Sequence, residues 1–151
     1  MRNTGTYAVL LALHLLTVAF VIGPLAQAAV LSPRHARSGN AGALADAART
    51  TRVYAVASLL TVLLGSALIG QGAVGRQWGF GQAWVGAAYV LWIAAVALTL
   101  GVVVPGQRKA LAALESGQDA APYAGRIAAG GGLAMLAWIA IIVLMVAKPG
   151  A

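Results

Sequence analysis

Four long apolar stretches alternate with shorter polar ones along the whole chain. They cover roughly residues 7–31, 53–71, 82–104 and 125–147. Each comes close to or exceeds the roughly 20 residues that an α-helix needs to cross about 30 Å of hydrocarbon. None shows the alternation of apolar and polar residues that is typical of a membrane β-strand. The pattern therefore predicts an all-α fold, a four-span transmembrane helical bundle that forms one integral membrane domain over residues 1–151.

Composition agrees with a membrane protein. Hydrophobic residues make up 61% of the chain and charged residues only 9%, whereas a typical soluble domain carries about 25% charged residues. A soluble core of this size has no room for so much apolar surface, so lipid must cover part of it. The absence of cysteine excludes disulfides, thiolate metal sites and covalently attached c-type haem.

Basic residues are concentrated in two of the predicted connections, residues 32–52 and 105–124, and at the start of the fourth span. Seven of the ten basic residues lie there: Arg34, Arg37, Arg49, Arg52, Arg108, Lys109 and Arg126. The positive-inside rule predicts that both connections are cytoplasmic and that both termini lie outside. The preference for Arg over Lys is typical of a GC-rich bacterial genome, which predicts a bacterial cytoplasmic membrane. Arg2, Arg76 and Lys148 fall on the outer side, with Tyr7, Trp78 and Trp84 near that interface.

Two other interpretations of the charged segments conflict with this topology. The basic start, apolar centre and Ala26-Gln27-Ala28 sequence resemble a secretory signal peptide, but cleavage there would leave the arginine-rich connection outside. The net charge of +7 would suit nucleic acid, but the charges are divided between two sides of a membrane. We expect membrane lipids, through their anionic headgroups, to contact the basic side chains, and no nucleic-acid partner.

The two halves of the chain resemble each other. The first span ends in Leu31-Ser32-Pro33-Arg34 and the third in Val104-Pro105-Gly106-Gln107-Arg108. Each basic connection then holds a short Ala- and Leu-rich segment, GALADAAR at 42–49 and KALAALE at 109–115. The similarity predicts two helical hairpins in the same orientation. The alternative is convergence, because Pro after a helix end and Arg at a cytoplasmic edge are common without any repeat.

Glycine positions indicate where membrane helices approach closely. Lipid tails are as apolar as leucine, so helices associate through small residues that let their backbones meet. We predict helix packing, or an interface with a partner helix, at Gly65, Gly70, Gly125, Gly130, Gly131 and Gly132. Pro24, directly after Gly23, predicts a kink in the first span because it cannot donate a backbone hydrogen bond.

His14 is the only acidic or basic side chain in the interior of a predicted span. At a rise of about 1.5 Å per residue, His14 lies about 10 Å inside the outer surface of the membrane. The same count places several other polar or aromatic residues at a similar depth. These residues are Tyr89, Trp92, Trp138 and Ser66. We predict that His14, Tyr89, Trp92 and Trp138 contact a bound ligand. The structural interpretation is a neutral imidazole that faces the bundle interior and is hydrogen-bonded to a neighbour.

The alternative interpretation of His14 is a bound cofactor. Imidazole is an axial ligand of haem, and Met135 on the fourth span could supply a second ligand. His35 lies in a cytoplasmic connection, too far away for a bis-histidine haem. A quinone or a lipid tail resting on the aromatic side chains is a further alternative.

The side chains needed for catalysis are missing from the spans. Asp46, Glu115 and Asp119 are the only acidic residues, and all three fall in predicted connections. Proton relays and ion-coupled transport normally need such residues within the membrane, and no Gly-rich phosphate loop precedes a helix. We expect no enzymatic activity, which leaves two functions. One is a non-catalytic accessory or structural subunit of a larger membrane complex, such as a respiratory one, in contact with other subunits or with copies of itself. The other is a haem-, metal- or quinone-binding membrane protein that uses His14.

His14 followed by Gly23, together with a third span that ends in Val103-Val104-Pro105, resembles a known pattern. This pattern is similar to the pattern found in a family of small predicted bacterial membrane proteins of unknown function. The resemblance implies four helices over nearly the whole chain. A first-helix histidine before glycine also resembles the copper-resistance D and protoporphyrinogen-oxidase-like membrane families. Those families carry further histidines on other spans, which this chain lacks, so the resemblance transfers no copper or haem activity.

Overall fold

The computed structural model describes residues 4–71 and 79–150, and within these ranges the chain is helical without β-strands. Its α-helices are α1 Thr4–Thr17, α2 Gly23–Ser38, α3 Ala41–Gln71, α4 Ala83–Leu98, α5 Val104–Glu115 and α6 Ala121–Ala147. A π-helical turn joins α1 to α2, and another joins α4 to α5. The result is four continuous helices that are long and apolar enough to cross a membrane, Thr4–Ser38, Ala41–Gln71, Ala83–Glu115 and Ala121–Ala147. The predicted all-α, four-span architecture is confirmed. Arg2, Arg76 and Trp78, predicted on the outer side, lie outside the described residues.

The helices extend well beyond the predicted spans. The first continuous helix has 35 residues, about 50 Å at 1.5 Å per residue, against about 30 Å of hydrocarbon. Much of segments 32–52 and 105–124 is therefore helical rather than connecting chain. The Ala- and Leu-rich segment at 42–49 lies within α3, and the one at 109–115 ends α5. Residues of high helix propensity extend an existing helix easily, because no new nucleus has to form.

A two-residue turn connects α2 to α3. Gly39 adopts a left-handed backbone conformation with φ of 68°. Its N–H donates to the carbonyl of Ala36, and the N–H of Asn40 donates to that of His35. This is the Schellman arrangement that ends many helices. The Asn40 side chain then accepts a hydrogen bond from the N–H of Ala43 and caps α3.

The second hairpin uses the same chemistry. Gly117, with φ of 74°, ends α5 and donates to the carbonyl of Leu114. The Asp119 carboxylate then accepts a hydrogen bond from the N–H of Ala121 at the start of α6. Both hairpins therefore turn at the same end of the bundle, which we call the turn end.

A π-helical turn precedes one proline in each half of the chain. The turn Val18–Ile22 comes before Gly23-Pro24, and the turn Thr99–Val103 comes before Val104-Pro105. Proline offers no N–H to the carbonyl four residues earlier, and its ring clashes with that carbonyl. The wider π turn accommodates both effects. The structural counterpart of Pro105 is thus Pro24, whereas the sequence similarity pairs Pro105 with Pro33, which lies inside α2.

Two clusters of buried residues join the helices. One lies towards the end opposite the turn end and includes Ile22, Ala88 and Trp138. The other lies towards the turn end and includes Leu44 and Ile127 with several alanines. In this packing α2 lies against both α3 and α6, whereas α1 packs extensively on α3 alone among the described helices of the other spans. Many large apolar side chains point outwards, as lipid contact requires.

The predicted packing glycines divide into two groups. A Cβ added at Gly130 would lie 2.8 Å from Cγ1 of Val102, and one at Gly131 would lie 3.3 Å from the carbonyl oxygen of Ala29. Gly65 also lies at an internal contact, described below. The remaining three face outwards, where an added Cβ meets no described atom within 4 Å: Gly70, Gly125 and Gly132. Contact between these three and a partner helix stays a prediction.

We expect Gly130→Ala to be less stable than Gly132→Ala by about 1–3 kcal/mol, the usual cost of inserting a methyl group into a packed contact. The gain in helix propensity from Gly to Ala is common to both variants and cancels in the comparison. Unfolding of the purified protein in mixed detergent micelles, followed by circular dichroism, gives the two free energies. Equal stabilities would mean that the contact between α6 and the π-helical turn Thr99–Val103 is not as tight as described.

Candidate functional site

His14 lies on the inward side of α1 and is only 6% exposed. Its Nδ1–H donates a hydrogen bond of 3.0 Å to the main-chain carbonyl oxygen of Thr61 on α3. A carbonyl only accepts, so Nδ1 carries the proton, and in the neutral ring Nε2 then carries the lone pair. The hydrogen bond therefore fixes the orientation of the imidazole and leaves Nε2 for a further interaction.

Gly65 makes room for this imidazole on α3. A Cβ at this position would lie 3.0 Å from Cε1 of His14 and 3.5 Å from Nδ1. Thr61 and Gly65 are four residues apart and so lie on the same face of the helix. Thr61 supplies the hydrogen-bond acceptor, and Gly65 supplies the space for the ring. The contact between α1 and α3 at this depth is consequently both polar and close.

A cavity of about 290 Å³ lies beside the ring, between all four spans. Tyr7, Leu11 and His14 line it from α1 and Val18 from the π-helical turn that follows, at the spacing of a single helix face. The other walls come from α3, α4 and α6, and most of their side chains are aliphatic or aromatic. The structure brings all four predicted ligand-binding residues around this cavity: His14, Tyr89, Trp92 and Trp138.

The cavity exists because α1 stands apart from α4 and α6. Beyond the π turn and Pro24, α2 packs on both α3 and α6, but α1 packs extensively on α3 alone among the other spans. The cavity walls include Leu15 of α1 and Val146 of α6, which are 57% and 80% exposed. Exposed apolar side chains on membrane helices face lipid, so the rim of the cavity reaches the lipid-facing surface between α1 and α6.

The polar ends of two aromatic side chains are hydrogen-bonded across the α3–α4 contact. The indole N–H of Trp92 donates to Oγ of Ser58 at 3.0 Å, and the Tyr89 hydroxyl shares a hydrogen bond with Oγ of Ser66. The sequence predicted Ser66 at the depth of His14 and the aromatic side chains, but it did not predict Ser58 there. The signal for Ser58 is its spacing, because Ser58, Thr61 and Gly65 recur at three and four residues, as one helix face does.

Two residues that line the cavity each keep a buried polar atom without a hydrogen bond to any described residue. They are Nε1–H of Trp138 and Oγ1 of Thr61, and their side chains are 7% and 6% exposed. Buried polar groups are nearly always paired, and leaving one unpaired costs about 1–3 kcal/mol. Two such atoms therefore impose a substantial cost on this part of the bundle.

Gln107 forms a separate buried polar cluster towards the turn end, where α2, α3 and α5 meet. Its Nε2 donates to Oγ of Ser32 at 2.6 Å and to Oγ1 of Thr51 at 3.0 Å. All three residues fall in segments predicted as connections, and none was predicted to be a site residue. The signal in the sequence is helical spacing, since Gln107 lies three residues before the buried Ala110. The cluster stabilises the fold away from the cavity.

The predicted haem ligand Met135 is not among the cavity-lining residues, whereas Met145 of the same helix is. His35 lies near the end of α2, away from the cavity. No group of three or more His, Cys, Asp or Glu side chains within the described ranges is placed to hold a metal ion. The arrangement around His14 can therefore enclose a small apolar molecule next to one imidazole nitrogen.

The predicted topology residues all lie near the turn end and are exposed there: Arg34, Arg37, Arg49, Arg52, Arg108, Lys109 and Arg126. At the other end, Lys148 is among the residues that line the cavity, directly after α6. The cavity and these seven basic side chains thus occupy opposite halves of the bundle.

A methyl group added at Gly65 should displace the imidazole from the Thr61 carbonyl, because it would lie 3.0 Å from Cε1. We expect Gly65→Ala to be less stable than Gly70→Ala by about 1–2 kcal/mol, which combines close packing with one interhelical hydrogen bond. Gly70 is the matched control because nothing described lies within 4 Å of its added Cβ. Unfolding in mixed micelles measures the difference. A Gly65→Ala protein as stable as Gly70→Ala would show that the ring does not rest on α3.

Comparison with known protein families gives one match. Residues 8–149 match the family described as "Predicted integral membrane protein (DUF2269)". No curated protein and no solved structure matches the chain significantly. The resemblance to a family of predicted membrane proteins of unknown function is confirmed, while that to the copper-resistance D and protoporphyrinogen-oxidase-like families stays a prediction. Because the match extends from the first turns of α1 to beyond the end of α6, the chain belongs to this family of predicted integral membrane proteins.

Proposed function

We propose that this membrane protein binds a small lipid-soluble ring compound in the cavity beside His14. The observation that carries the proposal is the cavity itself, about 290 Å³ of largely apolar space between four packed helices. Protein interiors are close-packed and contain few voids larger than a water molecule. A space of this size is close to the lower limit of about 300 Å³ for small-molecule sites.

The walls favour a quinone-type ring over the other cofactors considered. Aromatic faces such as those of Tyr89, Trp92 and Trp138 pack well against a flat apolar ring. A quinone headgroup of one or two rings is far smaller than a haem macrocycle of four pyrroles, and so suits the volume better. The exposed rim between α1 and α6 gives an isoprenoid tail a path into the surrounding lipid.

Filling the cavity should remove the ligand without unfolding the protein. Ala88 lines the cavity from α4, so Ala88→Leu directs added carbon atoms into the space. Its neighbour Ala87 is exposed on the other side of α4, so Ala87→Leu adds the same atoms towards lipid. We expect wild type and Ala87→Leu, purified from native membranes, to carry about one lipid-soluble ring compound per chain, and Ala88→Leu to carry less than a tenth of that.

Organic extraction of the purified proteins, followed by mass spectrometry of the extract, measures the bound compound. Circular dichroism of each variant confirms that the helices are retained. Wild-type protein without a stoichiometric small molecule would contradict the proposal, as would an equal yield of the molecule from Ala88→Leu.

We propose as a second function that the protein is a non-catalytic subunit of a larger membrane complex. The supporting observation is the outward position of Gly125 and Gly132, which lie seven residues apart on one face of α6. Ala128 and Ala129 between them are also exposed. A flat face of small residues is the kind of surface on which another membrane helix packs closely. The partner would be a different subunit or a second copy of this chain.

This second function predicts that a partner chain is lost when the α6 face is made bulky. We expect a stoichiometric partner to purify with wild type in mild detergent and to be lost from Gly132→Leu. Gly86→Leu is the control, because Gly86 is also outward-facing but lies on α4. Mass spectrometry identifies the chains, and light scattering detects a homo-oligomer. Monomeric wild-type protein without any partner would rule out this function.

We propose further that the turn end of the bundle faces the cytoplasm of a bacterium, with both termini outside. The support is the exposure at that end of all seven basic side chains named above. Exposed Arg and Lys side chains at a membrane surface also attract anionic lipid headgroups. The cavity would then lie in the outer half of the membrane.

A further inference from the structure

Thr61 and Trp138 differ from the comparable residues elsewhere in the bundle. Seven other Ser and Thr side chains on the described spans donate to a carbonyl of their own helix: Thr17, Ser32, Ser38, Thr51, Ser58, Ser66 and Thr99. The Thr61 hydroxyl makes no such bond. The indole N–H groups of Trp84 and Trp92 donate to Gln82 and Ser58, whereas that of Trp138 has no partner among the described residues.

Thr61 and Trp138 line the same cavity, unlike Gln107, whose Oε1 is also buried without a hydrogen bond to a described residue. Thr61 lines it from α3 and Trp138 from α6. Each side chain is more than nine-tenths buried, so bulk water does not supply the missing hydrogen bonds. The surrounding lipid offers none either. A molecule held in the cavity is the remaining source of a partner.

We infer that the bound compound presents an acceptor oxygen to Trp138 and Thr61, and that these two residues select a carbonyl-bearing ring over a plain hydrocarbon. The inference rests on the proposed function and deepens it. An indole N–H only donates, so its partner must be an acceptor. The threonine hydroxyl can donate to the same kind of atom. A quinone carbonyl, with two lone pairs on an otherwise apolar ring, has this chemistry.

Thr61 then serves two groups through two different atoms. Its main-chain carbonyl accepts the hydrogen bond from His14 and so positions the imidazole. Its hydroxyl, which makes no bond within the described chain, is left for the ligand. Thr61 is therefore a specificity-determining residue that was not recognised from the sequence, next to a histidine that was.

Two probe compounds of nearly the same shape test this selection. Menadione is a methylated naphthalene ring with two carbonyl groups, and 2-methylnaphthalene has the same rings without them. A ligand that binds the folded state raises thermal stability in proportion to its affinity. We expect wild-type protein in detergent to be stabilised by both compounds, and the ratio of the two apparent affinities to favour menadione.

Thr61→Val removes the hydroxyl while keeping the branched shape, and the hydroxyl has no partner to lose. We expect its ligand-free thermal stability to equal or exceed that of wild type, and its preference for menadione to fall about fivefold, as loss of one typical hydrogen bond would cause. Trp138→Phe should lower the preference by a similar factor. Thr99→Val is the control, because that hydroxyl bonds within its own helix and does not line the cavity, and its preference should equal that of wild type.

The outcomes separate the inference from the proposed function. Equal wild-type affinity for the two compounds, or an unchanged preference in both Thr61→Val and Trp138→Phe, would overturn the inference while the cavity remained a binding site. Stabilisation by neither compound would overturn both. A loss of preference in Thr99→Val equal to that in Thr61→Val would also overturn the inference, because the effect would not be specific to the cavity.

Discussion

The bundle depends on the hydrogen bonds that the inward face of α3 makes with its neighbours. That face holds α1 through His14, α4 through Trp92 and α5 through Gln107. Burying leucine between helices gains little in a membrane, because lipid is equally apolar. Hydrogen bonds and close backbone approach must therefore set how the helices pack. The small and polar residues of α3 accordingly face inwards, and many of its leucines face out.

The same constraint explains why the half of the bundle away from the turn end contains a cavity. Within the described residues, the side chain of His14 bonds α1 to α3, and the close packing of α1 on another span is likewise with α3. The π turn before Pro24 redirects the chain, so that α2 can pack on α6 as well. The first span thus closes the bundle towards the turn end and leaves it open at the opposite end. A ligand in that space would complete contacts that the helices do not make with one another.

The sequence predicts the depth of a residue in the membrane well, but it predicts poorly which neighbours that residue faces. Span length and a constant helical rise place His14 at the depth of Trp92 and Trp138, and the structure brings them around one cavity. The free hydroxyl of Thr61 and the cluster at Gln107 depend on how each helix is rotated about its axis. Spans that are apolar on all sides carry little information about rotation. The helices continue into the predicted connections because Ala- and Leu-rich segments extend an existing helix readily.

An experimental structure of the protein, purified from its native membrane with native lipid retained, tests the central claim most directly. The claim is that the space beside His14 is a binding site. The account predicts density for a flat molecule bounded by His14, Trp138 and Tyr89, with an oxygen atom within hydrogen-bonding distance of Trp138 Nε1. An α1 that packs directly on α6, with no space left beside His14, would contradict it.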